Sequence, residues 1–339
     1  MKKLNIAVVG ATGAVGKSVF EVLSERDFPI QNIYPLASAK SVGTTVTFNN
    51  QEFDVLDLEN FSFIDVDIAI FSAGGSVSRD YAPIAAAEGC VVIDNTSHFR
   101  YEDDIPLVVP EVNPEDIAKY TTRNIIANPN CSTIQMVVAL KPLHDVAKIS
   151  RINVATYQAV SGSGKAAIDE LISQSGNLLN GIPVKPEVYS KQIAFNVLPH
   201  IDKFEENGYT KEEMKMVWET RKILGDDSIL VNPTAVRVPV LYGHSEAIHV
   251  EFKEPISAET ARKILKKAPG VKVIDNIAKL QYPTAISDAT GSDLVYVGRI
   301  REDISHKSGL NLWVVADNIR KGAATNAVQI AEILYRDYL

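Results

Sequence analysis

Leu4-Asn5-Ile6-Ala7-Val8-Val9-Gly10-Ala11-Thr12-Gly13-Ala14-Val15-Gly16 is the stretch that decides the fold. Its first half is an almost unbroken apolar run, the pattern of a strand buried on both faces of a parallel sheet. Three glycines spaced G-x-x-G-x-x-G follow, and an amphipathic run to Leu23 comes next. Glycines at a strand-to-helix turn permit a tight reversal and let backbone amides approach an anion at the helix N-terminus. The spacing is a relative of the dinucleotide fingerprint, in which glycines such as Gly10 and Gly13 let backbone amides reach a pyrophosphate. A glycine-rich turn that holds nothing is the competing reading.

The same unit recurs downstream. Short apolar segments at 32–36, 67–71, 90–93, 107–110 and 124–127 read as strands, and residues 78–87 read as a returning helix. This alternation predicts a doubly wound α/β domain whose strand ends face one ligand crevice. Cys90 sits inside a strand and is assigned to the core. Gly74, in Ser72-Ala73-Gly74-Gly75-Ser76, lies where small residues would pass close beneath a cofactor. Arg100, in the loop after the 90–93 strand, is an anion clamp or a surface ion pair.

The second strand ends in Ala37-Ser38-Ala39-Lys40-Ser41. A site that selects the cofactor lacking a 2′-phosphate places an acid about 20 residues past the glycines to accept the ribose hydroxyls. No acid stands there. Ser38, Lys40 and Ser41 suit a 2′-phosphate, which favours NADP over NAD; a polar surface turn is the alternative.

Asn128-Pro129-Asn130-Cys131-Ser132-Thr133 places Cys131 between a strand and a helix expected to run to about 140. Unpaired donors and the positive end of the helix favour a thiolate there, so Cys131 is either a covalent nucleophile or a small buried hydrophobe. Further on, residues 149–160 are β-rich, and a turn at 161–165 opens a helix to 179. A helix at 211–224 carries Glu212, Lys215 and Glu219 on one side, the spacing of a solvated face. Strands at 231–240, 247–253 and 293–301 make the second domain α+β, with one face of its sheet covered. The final helix, ending at 335, is expected to return to the first domain. The domains are therefore expected at 1–132 plus 321–339 and at 133–320.

Composition narrows the function classes. The 42 acidic against 34 basic side chains give a net charge of -8, which argues against nucleic acid or an anionic membrane as the main partner. Two cysteines, no signal-peptide pattern and no run of about 18 apolar residues point to a reducing, cytoplasmic setting without a membrane span. The spacings offer no metal site. A nicotinamide crevice combined with a cysteine nucleophile implies aldehyde oxidation through a thioester. His244 can move the protons and Arg237 can grip a carboxylate with two hydrogen bonds, although either can equally be structural.

Five motifs in one order carry a resemblance: the 10–16 glycine loop, Asn128 to Thr133, Gln158-Ala159-Val160-Ser161-Gly162, Arg237 to Val240 with Gly243-His244-Ser245, and Asp317-Asn318-Ile319-Arg320-Lys321-Gly322-Ala323-Ala324. The chain resembles the bacterial aspartate-semialdehyde dehydrogenase family over essentially its whole length. The resemblance implies a Rossmann-like cofactor domain followed by a catalytic and dimerisation domain. It implies Cys131 as nucleophile, His244 as acid/base, Gln158 placing the substrate, and Arg237 on its carboxylate. Glu212 and Lys215 would lie near the substrate amine and phosphate, with Arg100, Lys215 and Asn130 on phosphate. Ser161, Gly162 and Asn318 would join the glycine loop and Ser38, Lys40 and Ser41 on NADP(H). The implied reaction interconverts L-aspartyl 4-phosphate and L-aspartate 4-semialdehyde with inorganic phosphate, in lysine, threonine, methionine and diaminopimelate synthesis, by cytoplasmic homodimers or tetramers. Lys40, Thr96, His98, Tyr157 and Ser163 depart from the commonest family pattern. An N-acetyl-glutamyl-phosphate reductase and a non-catalytic nucleotide-binding protein are the rival readings.

Overall fold

The computed structural model describes residues 3–339. The chain divides into two compact units, one taking residues up to Asn130 together with Ala323–Leu339, the other Cys131–Gly322.

In the first unit, β1 (Leu4–Val9) leads into α1 (Ala14–Glu25), β2 (Ile30–Ala37), a hairpin of β3 (Thr45–Phe48) and β4 (Gln51–Asp54), and the short β5 (Leu56–Asp57). The chain then runs through β6 (Ile68–Phe71), α2 (Gly75–Ala87), β7 (Val91–Asp94) and β8 (Ile125–Ala127). Apart from the hairpin these strands form one parallel sheet in the order β5-β2-β1-β6-β7-β8. The chain winds outward from β1 in one direction and then, from β6, in the other. The carboxyl ends of β1 and β6 therefore flank the switch point where such sheets open a crevice. Gly10 sits there with φ +89°, and a Cβ on it would come within 2.9 Å of Ser72 and Ala73 backbone atoms. A Cβ on Gly16 would strike the Gly10 carbonyl oxygen at 2.2 Å, so the helix can lie against the strand only because both positions lack side chains.

The residues expected to form a strand at 107–110 make only a single bridge, Leu107 to Ala127. Pro110 has no N–H to extend a ladder, and the buried Asn113 takes over the backbone: its Oδ1 accepts from Val109 N–H at 2.9 Å and its Nδ2 donates to Leu107 O at 2.9 Å. Cys90 is fully buried and its thiol pKa is driven upward by that burial.

The second unit begins with α3 (Cys131–Ala147), β9 (Ile149–Gln158), α4 (Lys165–Leu179) and α5 (Lys211–Leu224). It continues with β10 (Leu230–Arg237), β11 (His244–Phe252), α6 (Ala258–Leu265), β12 (Val271–Val273), β13 (Val295–Glu302) and β14 (Gly309–Ala316). Its mixed sheet has the order β10-β9-β11-β14-β13-β12. α3, α5 and α6 pack on one face, covering residues such as Ile152, Val154, Ile248, Val250 and Val314. The alternate residues look the other way: Tyr157 and Trp313, with ring centroids 5.6 Å apart, stand beside an apolar groove of about 500 Å³ walled by Ala247, Tyr282, Pro283 and Ile286. A sheet with one face covered by helices is what the strand patterns predict. α3 continues past the expected end near residue 140 because Pro142 is accommodated inside it.

The chain re-enters the first unit with α7 (Thr325–Asp337). Ala324, Ala327, Val328, Ala331 and Leu334 share the core cluster that holds Leu4, Ile6, Val8 and α1. Their three- and four-residue spacing gives α7 the apolar stripe that seats it there. Arg26 also bonds Glu332 through two N–H···O contacts of 2.8 and 2.7 Å.

Candidate active site

The ends of three strands in the second unit assemble a polar cluster. β9 and β10 run parallel and in register, so Gln158 and Arg237 finish side by side. β11 runs antiparallel to β9 and starts at His244, opposite the end of β14. The sheet thus delivers Gln158, Arg237, His244 and the Asp317-Asn318 turn to one edge.

His244 is fully buried. Its Nδ1 accepts from the Ala159 backbone N–H at 3.0 Å, which places the proton of the neutral ring on Nε2, a buried atom with no hydrogen-bond partner among the described residues. Burial, together with the nearby Arg237 guanidinium and against the pull of Glu212, lowers the imidazole pKa to about 3. A neutral imidazole with Nε2–H as its open donor follows. Of the acid/base role expected of His244, the resting tautomer supplies the donating half.

Arg237 is buried and its Nη1 donates to Ala159 O at 2.6 Å, while its Nε has no partner among the described residues. Gly162 lies over both groups: a Cβ there would be 3.0 Å from Arg237 Nη1 and 3.4 Å from His244 Nε2. The guanidinium also lines a cavity of about 250 Å³ with Ser163, Tyr189, Leu198, His200 and Asp202. Asn318 fixes the neighbouring loops, exchanging hydrogen bonds with Ser161 Oγ and accepting from Gly243 N–H at 3.0 Å.

Glu212 and Lys215 do not form the solvated face expected from their spacing, and neither does Glu219. Glu212 and Glu219 are buried, and the Lys215 side chain is only 12% exposed. Helical spacing places these residues on one face of α5, and α5 turns that face inward against β10 and α3. Glu212 accepts from Gln158 Nε2 at 3.1 Å and from Lys215 Nζ at 2.9 Å. Lys215 also donates to Asp202 at 2.9 Å. Burial disfavours the ammonium, but the two carboxylates more than offset it and hold the lysine pKa above its ordinary value. Asp202 had no signal in the sequence, because it meets Lys215 only through folding of the 182–210 loop.

Cys131 is half-buried as the first residue of α3. Gly322 presses against it: a Cβ on Gly322 would lie 2.7 Å from Cys131 Cβ. The turn is held by Asp317, whose Oδ1 accepts from the N–H groups of Ile319 and Arg320 and whose carbonyl accepts from Gly322 N–H at 2.9 Å. Gly322 belongs to a quoted motif, yet only the contact reveals what it does. Gly322→Ala is expected to displace the thiol and cut the rate of Cys131 alkylation by iodoacetamide at least about tenfold, read by mass spectrometry, while the far-UV circular dichroism is retained.

The remaining expected site residues fall in the first unit. Gly10, Thr12, Gly13, Ala14 and Val15 form the turn after β1, and Gly10 and Ala11 both donate to Leu36 O, next to Ser38, Lys40 and Ser41 at the end of β2. Ser38 and Lys40 are exposed and Ser41 is half-buried. Gly74, with φ +100°, precedes α2 and faces open space. Arg100 is buried and donates to Asn95 O at 2.8 Å; Asn130 is buried immediately before Cys131. Thr96, one of the departures, holds buried Asp94 through its N–H at 3.0 Å and its hydroxyl at 2.8 Å. Tyr157 lies on the far face of its sheet from Gln158, and Ser163 lines the cavity beside Arg237. Among the described residues no group of three or more His, Cys, Asp or Glu side chains is placed to hold a metal, and no helix is long and apolar enough to cross a membrane.

Two family models match the chain: a semialdehyde dehydrogenase NAD binding domain over residues 5–120 and a semialdehyde dehydrogenase dimerisation domain over residues 140–321. The chain is 69% identical over 338 residues to an aspartate-semialdehyde dehydrogenase of Legionella pneumophila, covering 100% of this chain and 97% of that one. The crystal structure of aspartate semialdehyde dehydrogenase II from Vibrio cholerae complexed with ASA superposes with a TM-score of 0.98 at 60% identity, over the full length of both chains. An aspartate semialdehyde dehydrogenase with NADP from Candida albicans superposes with a TM-score of 0.76 at 26% identity, over 98% of this chain and 99% of that one.

Proposed function

Since the chain belongs to the aspartate-semialdehyde dehydrogenase family, an oxidoreductase family of amino-acid biosynthesis, we propose that it reduces L-aspartyl 4-phosphate reversibly to L-aspartate 4-semialdehyde through a thioester on Cys131, with NADPH as hydride donor. One observation carries the assignment of the site: the Arg237 guanidinium and the His244 Nε2–H meet within 3.0 and 3.4 Å of a single point under Gly162. A carboxylate clamp and a proton donor that close together fit a short amino-acid chain whose reacting carbonyl lies a few bonds from its carboxylate.

On this reading Cys131 Sγ attacks the acyl-phosphate carbon, helped by its place at the start of α3, and inorganic phosphate departs with the carbon–oxygen bond pair. His244 Nε2–H donates to the carbonyl oxygen as negative charge builds on it. Arg237 holds the α-carboxylate, and Glu212, kept in place by Gln158 and Lys215, faces the free ammonium. Lys215 has spent two of its three N–H donors on carboxylates, and the third remains for phosphate, which Arg100 and Asn130 also bind. A nicotinamide cofactor, when bound, would supply hydride to the thioester carbon. His244 then steadies the hemithioacetal oxygen until the carbon–sulfur bond breaks and releases aldehyde and thiolate.

The cofactor fits the first unit. Gly10 and Gly16 leave no room for side chains where β1 turns into α1, the first amides of that helix have no intrahelical acceptor, and Gly74 precedes α2 beside open space. Ser38, Lys40 and Ser41 then take the 2′-phosphate, and Ser161, Gly162 and Asn318 the nicotinamide end. The domains are accordingly the NADP-binding 1–132 plus 321–339 and the substrate-binding and dimerisation 133–320. The face of the second sheet bearing Tyr157 and Trp313 is the surface we assign to a homodimer, with the tetramer as a higher assembly, in the cytoplasm.

The test is an initial-rate assay of phosphate-dependent nicotinamide reduction. Aspartate semialdehyde should exceed N-acetyl-glutamate semialdehyde in kcat/KM by at least about 100-fold, because the acetylated amine brings no charge to Glu212. NADP should exceed NAD by at least about tenfold through the phosphate contacts. Faster turnover of the acetylated substrate would replace this reading with the N-acetyl-glutamyl-phosphate reductase.

A further inference from the structure

The mechanism leaves one buried pair of polar side chains unused. Glu246 lies two residues after His244 on β11 and so points to the same, helix-covered face of the sheet. Gln135 lies four residues after Cys131 on α3, one turn along and on the same side of the helix. Both side chains are fully buried, and α3 packs on β11. The Gln135 amide is near enough to act on the Glu246 carboxyl, yet among the described residues neither the two amide atoms nor the two carboxyl oxygens meet a partner at hydrogen-bonding geometry, each other included. Buried polar atoms are normally paired, and four that face one another in an apolar interior have only each other to pair with.

We propose that Gln135 and Glu246 form a carboxamide–carboxyl clasp between α3 and β11 that sets the spacing of Cys131 and His244, making both positioning residues for the reaction. Each catalytic group is the first residue of its element, and the clasp joins those elements one step further in. A frayed start of α3 or β11 would otherwise move either group independently. The chemistry closes on itself: a protonated carboxyl donates its O–H to Gln135 Oε1 and accepts from Nε2–H, two parallel bonds with no charge left over. Burial drives the Glu246 pKa well above its usual range, so the carboxyl carries the proton that this pairing requires. Arginine, lysine and backbone N–H groups are absent from the influences on Glu246; desolvation and Gln135 are the ones that act. The proposal rests on Cys131 and His244 being the reacting pair.

The experiment separates positioning from plain stability by comparing Glu246→Gln, Glu246→Met, Gln135→Met and the double variant Gln135→Met/Glu246→Met, each read for kcat, KM and melting temperature. Glu246→Gln keeps two parallel hydrogen bonds and should hold kcat within about threefold. Either single methionine leaves one buried polar group alone and should lower both melting temperature and kcat, the latter about 10- to 100-fold with KM for aspartate semialdehyde within about twofold. The double methionine variant removes the orphaned group, so its melting temperature should recover while kcat stays low. Full recovery of kcat in the double variant would overturn the proposal and leave the pair a packing feature. Loss of activity in Glu246→Gln equal to that in Glu246→Met would also overturn it, since a proton rather than a tie would then be required. Cys131→Ala, run beside them, tells the two failures apart: activity in that variant would refute the assignment of the reacting pair itself.

Discussion

Replacing Cys131 with serine is expected to lower kcat by at least about 1,000-fold in both directions while leaving the protein folded and able to bind cofactor. Serine keeps the size and the place at the start of α3, but its hydroxyl pKa lies far above any that a helix dipole can bring into range. A thiol needs only a modest shift to ionise near neutral pH. The measurement is steady-state reduction of the nicotinamide, joined to mass spectrometry of the wild-type protein quenched during turnover with the acyl phosphate. The wild type should carry an acyl adduct on the peptide containing Cys131 and the variant should not. An active serine variant without an adduct would sink the covalent route.

Replacing His244 has the second largest expected effect, and its form follows from the ring's tautomer. Because Ala159 N–H donates to Nδ1, the reacting face of the ring is an N–H donor. His244→Ala removes that donor and should cost about 10²–10⁴ in kcat. His244→Gln can accept from Ala159 through its oxygen and donate through its amide, so it should recover at least about tenfold over alanine. Equal rates for the two would mean that the ring must exchange its proton rather than only share it.

The same residue shapes stability against pH. Its folded pKa of about 3 lies below the value of 6.5 for the unfolded ring, so between those values the unfolded chain binds the extra proton. The stability His244 contributes is complete above pH 6.5 and is lost as pH falls through that window toward 3. The urea midpoint of wild type should drop between pH 7 and pH 5 by more than that of His244→Gln, which has nothing to protonate. Raised carboxyls such as Asp94 act in the opposite sense, and they are common to both proteins.

Much of the first unit was legible as local pattern. The strand, the glycine spacing and the following helix lie within 20 residues of one another, and Gly16 answers a clash with Gly10 close in sequence, whereas Gly10 answers one with Ser72 and Ala73 on the neighbouring strand's end. The exception at 107–110 is instructive: the apolar residues are buried as expected, but Pro110 and the Asn113 side chain divert the backbone from a ladder. The helix after Cys131 departs in the other direction, since α3 runs past the expected end near residue 140 and through Pro142 to Ala147.

By itself, the sequence determined the periodic signals: which segments are strands, where a Gly-rich turn must sit, and that one cysteine begins a helix. It also offered Arg237 and His244 as separate candidates, each with a structural alternative that no local argument could remove, and Gln158 through the resemblance. The tertiary structure decided how these residues meet, because β9, β10 and β11 end at one sheet edge and put a guanidinium and an imidazole against the same glycine. It decided too that the Glu212 and Lys215 face of α5 is buried, since spacing fixes which residues share a side but not which side meets water. The protonation of His244 belongs to the same class, for a pKa is set by desolvation and by neighbours dozens of residues away, which exist only once the chain has folded.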